Sequence, residues 1–157
     1  MSSNVMLYTC TTSADFAIAK SLTVAYFQWL GMNLDFQNTK KEFEVFHEMY
    51  GGSSGCFIYL KVNDTIAGGV GIRRLTDEIC EMKRLYVSPE LQGDGFGRRL
   101  CDEIILIAKN LGYVKMRLDT VSKLKSANAL YEKLGFDDIP AYYDNPDPTV
   151  RYMELTF

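Results

Sequence analysis

Between Phe16 and Leu30 the apolar positions Phe16, Ala19, Thr23, Tyr26, Phe27 and Leu30 recur at the spacing of one helix face. Thr12 or Ser13 caps this predicted helix, Asp15 falls in its first turn and Gly31 stops it. A short run, Val5–Cys10, precedes it as an opening strand. A second helix is predicted over Lys40–Tyr50, with Phe43, Phe46 and His47 toward one side, and the stretch Gly51–Gly55 breaks it. The texture then changes to strands. Cys56–Val62 and Ile66–Arg74 are joined by Asn63, Asp64 and Thr65, a hairpin turn by composition, and Glu78–Val87 follows, ended by Pro89. Gly95–Leu111 reads as a long helix with an apolar stripe of Leu100, Ile104, Ile107, Ala108 and Leu111, and Gly112 sits where a C-terminal cap belongs. Tyr113–Asp119 alternates, with Val114, Met116 and Leu118 on one side and Lys115 and Arg117 on the other. Ser126–Leu134 is a short helix ended by Gly135. Phe136–Ile139 and Val150–Phe157 are the last strands, joined by a loop rich in Pro, Tyr and Asp.

The order β-α-α-β-β-β-α-β-α-β-β predicts an α/β fold. Three successive strands form an antiparallel meander, whereas the strand–helix–strand unit from Glu78 to Asp119 makes its two strands parallel. The expectation is a mixed, mostly antiparallel sheet of about seven strands with helices on both faces. Its two central parallel strands would splay at their carboxyl ends and leave a crevice there.

A length of 157 residues without a dividing linker implies one domain over 1–157. Hydrophobic residues at 47% and charged residues at 24% fit a soluble globular chain and exclude disordered or fibrous classes. The net charge of -3 offers no footprint for nucleic acid. Met1–Met6 carries no basic segment followed by an apolar run, and the apolar cluster Ile104–Ala108 is too short to cross a bilayer, so neither a signal peptide nor a membrane span is expected. With one histidine, His47, and four scattered cysteines, Cys10, Cys56, Cys80 and Cys101, no metal site is expected. Free thiols place the protein in the cytoplasm.

The segment Val87–Arg99 carries the chemistry. Gly93, Gly95 and Gly97 bare the backbone where a strand turns into a helix, so N–H groups and the helix dipole form a site for a phosphate or diphosphate. Arg98 and Arg99 add positive charge. A nucleotide-kinase loop would need Gly-Lys-Ser/Thr, but Arg98 follows Gly97. A dinucleotide fingerprint matches in part: its third small residue falls at Arg98, while Asp119, 22 residues after Gly97, could hold a ribose. A glycine-rich surface turn without a ligand is the third reading.

Gln92-x-x-Gly95-x-Gly97 after the strand Glu81–Val87 resembles the diphosphate-binding motif of the GNAT superfamily of acetyl-CoA-dependent N-acetyltransferases. Leu130–Phe136 resembles that family's short helix before the last hairpin, and the order of elements matches over essentially the whole chain. Arg117–Thr120 and Pro140–Pro146 are similar to a subgroup of small members whose substrates are mostly unassigned. The resemblance implies a GNAT-type sheet and transfer of an acetyl group from acetyl-CoA to an amine by direct attack in a ternary complex. It implies that the main chain of Leu85, Tyr86 and Val87 aligns the pantetheine arm and stabilises the oxyanion at the Leu85 N–H. It assigns the diphosphate to Gln92, Gly93, Asp94, Gly95, Phe96, Gly97 and Arg98.

By the same resemblance Tyr131 protonates the departing thiolate and Glu81 serves as base, working through water. The alternative for Tyr131 is packing, and for Glu81 a pairing with Lys83, Arg84 or Arg117. Strand alternation places Glu81, Lys83, Leu85 and Val87 on one face unless a bulge intervenes. Leu124 stands where the family often has an asparagine, and Asn128 is the offset candidate for that cofactor contact. His47 reads as structural. The acceptor, a small-molecule or peptide amine, is expected among Tyr26, Trp29, Tyr142 and Tyr143, with Phe27 and Phe36 read mainly as packing. A homodimer is the family's common assembly. An acyl-CoA-binding module without turnover and a dinucleotide-dependent oxidoreductase are the alternative functions.

Overall fold

A computed structural model describes residues 4–31 and 41–157. The expected Phe36 and the start of the second helix at Lys40 lie outside them. Strand β1 is Val5–Thr9, helix α1 Ser13–Leu30 and helix α2 Phe46–Gly51. Strands β2 (Cys56–Val62), β3 (Thr65–Arg74) and β4 (Ile79–Val87) follow, then helix α3 (Phe96–Asn110), β5 (Lys115–Thr120), helix α4 (Lys125–Leu134), β6 (Asp137–Ile139) and β7 (Arg151–Thr156). Residues 41–44 are also helical, and Val45 separates them from α2.

The seven strands form one sheet in the order β1-β2-β3-β4-β5-β7-β6. Every neighbouring pair is antiparallel except β4 and β5. That pattern is the expected mixed sheet and is not the doubly wound parallel sheet that a dinucleotide fingerprint opens. Helices α3 and α4 pack one face through Leu100, Ile104, Ala108 and Tyr131 against Ile72, Met82 and Met116. Helix α1 and the aromatic α2 pack the other through Phe16, Ala19, Phe46 and Tyr50 against Phe57 and Tyr59.

Local chemistry explains the boundaries. Thr12 caps α1 in a reciprocal box: the Asp15 N–H donates to Thr12 Oγ1 at 3.1 Å and the Thr12 N–H to Asp15 Oδ2 at 3.1 Å. Asn63 and Asp64 both have positive φ, 50° and 68°, giving the two-residue turn that matches strand twist. At the end of α3, Gly112 (φ 97°) donates to Lys109 and Tyr113 to Ala108, which closes the helix. Leu111 and Val114, read as apolar-face positions, are exposed at 42% and 46%. They flank this reversal, one past the last helical turn and the other before β5 begins.

The ladder between β3 and β4 slips. Gly71 faces Lys83 and Gly69 faces Tyr86, so Val70 alone opposes Arg84 and Leu85. Arg84 takes φ 64°, the left-handed region that a bulge of this kind requires. The slip reverses the alternation. Met82, Leu85 and Val87 join the α3 side, whereas Tyr86 joins the α1 side. The expected shared face of Glu81, Lys83, Leu85 and Val87 is therefore corrected: the bulge separates the first two from the last two. Opposite this bulge Gly68 approaches so closely that a Cβ there would stand 2.2 Å from the Tyr86 carbonyl oxygen.

All four thiols are buried and free. Burial is the main cause that pushes Cys10, Cys80 and Cys101 up to about 12 and Cys56 to about 11.

Candidate active site

The parallel ladder between β4 and β5 is short: Ile79↔Lys115, Cys80↔Met116 and Glu81↔Arg117. Beyond it the two strands part, and a cavity of about 190 Å³ opens between them. Gly93, Gly97, Leu130 and Tyr131 line it from the α3–α4 side, and Tyr26, Trp29, Arg84 and Asp119 from the α1 side. The splay thus makes a slot through the sheet. Of the candidate residues it brings together Tyr26, Trp29, Leu85, Tyr86, Val87, Gln92, Gly93, Phe96, Gly97 and Tyr131. Asp94, Gly95, Arg98, Asn128, Glu81, Tyr142 and Tyr143 do not line it.

The strand-to-helix corner is bare. None of the N–H groups of residues 93–98 has an acceptor among the described residues; the first bond of α3 runs from Arg99 to the Gly95 carbonyl at 3.2 Å. Gly93 (φ 92°) and Gly95 (φ 86°) turn the chain, and a Cβ at either would meet nothing within 4 Å. Six uncommitted donors at the positive end of a 15-residue helix suit a diphosphate. Gln92 braces the corner: its Nε2 donates to the Val87 carbonyl at 2.9 Å, which commits that carbonyl to the protein. Arg98 pairs with Asp102 along the helix at 3.1 Å.

Tyr131 lies on α4, is 6% exposed and has no hydrogen-bond partner for its hydroxyl among the described residues. Burial pushes the phenol well above its ordinary value, so it keeps its proton across the working pH range. Asn128 sets its place. Thr120 Oγ1 donates to Asn128 Oδ1 at 2.6 Å, and Asn128 Nδ2 donates to the Val121 carbonyl at 3.0 Å. Both polar atoms of Asn128 therefore tie the end of β5 to α4, one helical turn before Tyr131.

The α1 side of the sheet carries a row of charges in register: Arg73↔Glu81, Glu81↔Arg117 and Arg117↔Glu154. Glu81 is 1% exposed and accepts from Arg73 Nε at 2.8 Å and from the Tyr142 hydroxyl at 2.6 Å, with Lys83 Nζ at 3.3 Å. Burial acts to raise its pKa, but Lys83, Tyr142 and Arg73 outweigh it and hold Glu81 below the usual carboxylate value. Arg117 Nε donates to Glu154 Oε2 at 2.7 Å. Of the pairings expected for Glu81, Lys83 is present, whereas Arg84 donates to Glu42 Oε1 at 2.7 Å and lies over the Phe27 ring. Tyr142 is expected with Tyr143 at the acceptor site. It is half-buried, because its hydroxyl is taken by Glu81 and its ring packs on Arg117 and Tyr152. Tyr143 is 40% exposed. His47 is exposed and its ring rests on Phe16 at 4.7 Å.

The reading of the chain missed Arg73 and Glu154, whose partners emerge only from the strand register. Asp119, at the strand end beside the expected crevice, does line the slot with Tyr131. Among the described residues no group of three or more His, Cys, Asp or Glu could hold a metal ion, and no helix is long and apolar enough to cross a membrane.

The model of the acetyltransferase (GNAT) family matches residues 22–136. An uncharacterised N-acetyltransferase of Schizosaccharomyces pombe is 37% identical over 155 residues, covering 98% of this chain and 95% of the relative. Among solved structures, an acetyltransferase from Streptococcus agalactiae superposes with a TM-score of 0.78 at 20% identity over 98% of both chains. A GNAT family acetyltransferase from Elizabethkingia anophelis, solved with acetyl-CoA bound, gives a TM-score of 0.66 at 18% identity, covering 98% of this chain and 99% of that one. At these identities the two structures speak for the fold.

Proposed function

Since the chain belongs to the acetyltransferase (GNAT) family, we propose that it is an acetyl-CoA-dependent N-acetyltransferase acting on an amine by direct attack in a ternary complex. One observation carries this reading: six uncommitted amides at residues 93–98 stand beside a slot that Tyr131, its hydroxyl without a partner among the described residues, also lines. The site fits coenzyme A, because the bare corner suits its diphosphate. The structure from Elizabethkingia anophelis, solved with acetyl-CoA, shares this fold.

Acetyl-CoA, when bound, supplies an acyl carbon activated as a thioester. The amides of Gly93 to Arg98 hold the diphosphate, and the open edge of β4 guides the pantetheine arm into the slot. The bulge leaves Arg84 and Leu85 without register partners on β3. The family resemblance assigns the Leu85 N–H as donor to the developing oxyanion, a contribution of about 3–4 kcal/mol. Tyr131 gives its proton to the sulfur as the C–S bond breaks. The apolar surroundings that raise the phenol also raise a thiolate, which makes the departing sulfur a competent acceptor. Glu81, kept ionised by its three partners, anchors the Tyr142 loop to the α1 face of the sheet.

Thiol release from acetyl-CoA, followed with benzylamine, spermidine and an alanyl peptide, tests the proposal, with mass spectrometry of the acetylated amine. Release that depends on amine and matches amide formed is the expected result. Tight CoA binding with no release on any amine would instead support an acyl-CoA-binding module.

A further inference from the structure

We propose that Asp119 receives the acceptor: it binds the ammonium form of the amine and takes the proton that must leave before nitrogen attacks. This rests on the acetyltransferase reading. Asp119 follows Arg117, the last residue of β5 paired with β4, by two positions, so it stands on the same face where the splay begins. It lines the cavity that holds Tyr131.

Among the described residues its carboxylate carries no ion pair. Its side-chain partners among them are neutral, Asn145 Nδ2 at 3.5 Å and the hydroxyl of Tyr143, which leaves acceptor capacity on its two oxygens. Glu81 is the opposite case, with Arg73, Lys83 and Tyr142 already on its oxygens. A base must have an oxygen free for the proton it takes. Tyr26 and Trp29 line the same cavity, and aromatic faces beside a carboxylate make a natural seat for an alkylammonium. The titratable groups near enough to feel the charge of Asp119 are Lys83 on β4, Tyr26 on α1, Tyr131 on α4, Tyr142 and Tyr143 on the loop before β7, and Tyr152 on β7.

The protons balance. Asp119 takes one from the ammonium, which frees the nitrogen lone pair to form the N–C bond. Tyr131 gives its proton to the sulfur as the C–S bond breaks, and the second amine hydrogen restores the phenol. Asp119 then releases its proton to water, one per turnover.

The assignment separates two nucleophiles of similar shape. Benzylamine is an ammonium ion at pH 7 and needs a base; aniline is already neutral. Asp119→Asn is expected to lower kcat/KM for benzylamine by roughly 10²–10⁴. The residual rate should climb about tenfold per pH unit below the pKa of the amine, because solvent then supplies the neutral form. For aniline the change should stay within about threefold, and acetyl-CoA affinity should match wild type, which also verifies folding. Asp119→Glu, which keeps the carboxylate, should recover at least a tenth of the benzylamine rate. Equal losses on both nucleophiles, or equal losses for Asn and Glu, would make Asp119 a structural residue and overturn the proposal while leaving the acetyltransferase reading intact. If wild-type protein acetylates none of benzylamine, spermidine, an alanyl peptide or aniline, the acetyltransferase reading falls and this proposal with it.

Discussion

The two mouths of the slot are built from different materials. On the α3 side the donors are main-chain amides at residues 93–98, exposed by small residues and otherwise uncommitted. On the α1 side Arg84 and Asp119 line the slot, and the side chains of β3, β4, β5 and β7 on the same face of the sheet are mostly bound to one another. A backbone cradle recognises charge and has no proton to gain or lose. A side-chain lattice holds a shape, and among the described residues Asp119 lines the slot without an ion pair of its own. The first mouth suits a constant ligand; under the proposed function the second is where a change of side chain would alter the choice of acceptor.

The comparison breaks most sharply between the two mouths, at Tyr131. Tyr131→Phe should lower turnover by roughly 10²–10⁴ while acetyl-CoA affinity stays within about threefold, because the ring packing is kept and only the proton is lost. Steady-state kinetics alongside calorimetric titration with CoA checks this, and unchanged turnover would reduce Tyr131 to packing.

Next comes Glu81→Gln, which leaves Arg73 and Lys83 facing a neutral amide. We expect a loss of about 3 kcal/mol, discounted because Arg73 is partly exposed, read from the urea midpoint. The native pKa of Glu81 is lowered, so its contribution is complete above the unfolded value of about 4.3 and is lost as pH falls through the lower native value. The variant should therefore show a shallower acid-side decline of stability than wild type.

Gly95→Val should weaken CoA binding by about tenfold or more and also lower the melting temperature by a few degrees, because a β-branched residue at this φ costs about 1–3 kcal/mol. It places a branched side chain at φ 86° over the bare amides but disturbs no core contact. The smallest effect is expected for Tyr142→Phe, about 1–2 kcal/mol from one hydrogen bond to a carboxylate, measured by the same urea titration.

Much of this architecture was legible from periodicity and punctuation. Thr12, Asn63–Asp64, Gly112 and Gly135 mark boundaries through chemistry local to a few residues, so they can be read without knowing the sheet. The glycine corner was legible for the same reason. The slip at Arg84 was not, because it depends on how β4 meets Val70 on a different strand, and nothing local to an arginine announces a positive φ. That slip moved Glu81 away from the face of Leu85 and Val87. The partners of Glu81 were equally hidden, since Arg73 and Tyr142 reach it across the sheet from 8 and 61 residues away. Asn128 illustrates a middle case. Its place near the site was visible, but its commitment to Thr120 and Val121 follows from the meeting of β5 and α4.

The buried thiols carry a last consequence. With values near 11 to 12, the reactive sulfur anion makes up only about one part in 10⁴ to 10⁵ of each cysteine at neutral pH. Under the proposed acetyl transfer, the mercaptan discharged at each cycle would find no ready partner here for mixed-disulfide exchange. Alkylating reagents should mark these sulfurs only as fast as the chain opens, which turns the cysteines into a built-in clock for unfolding.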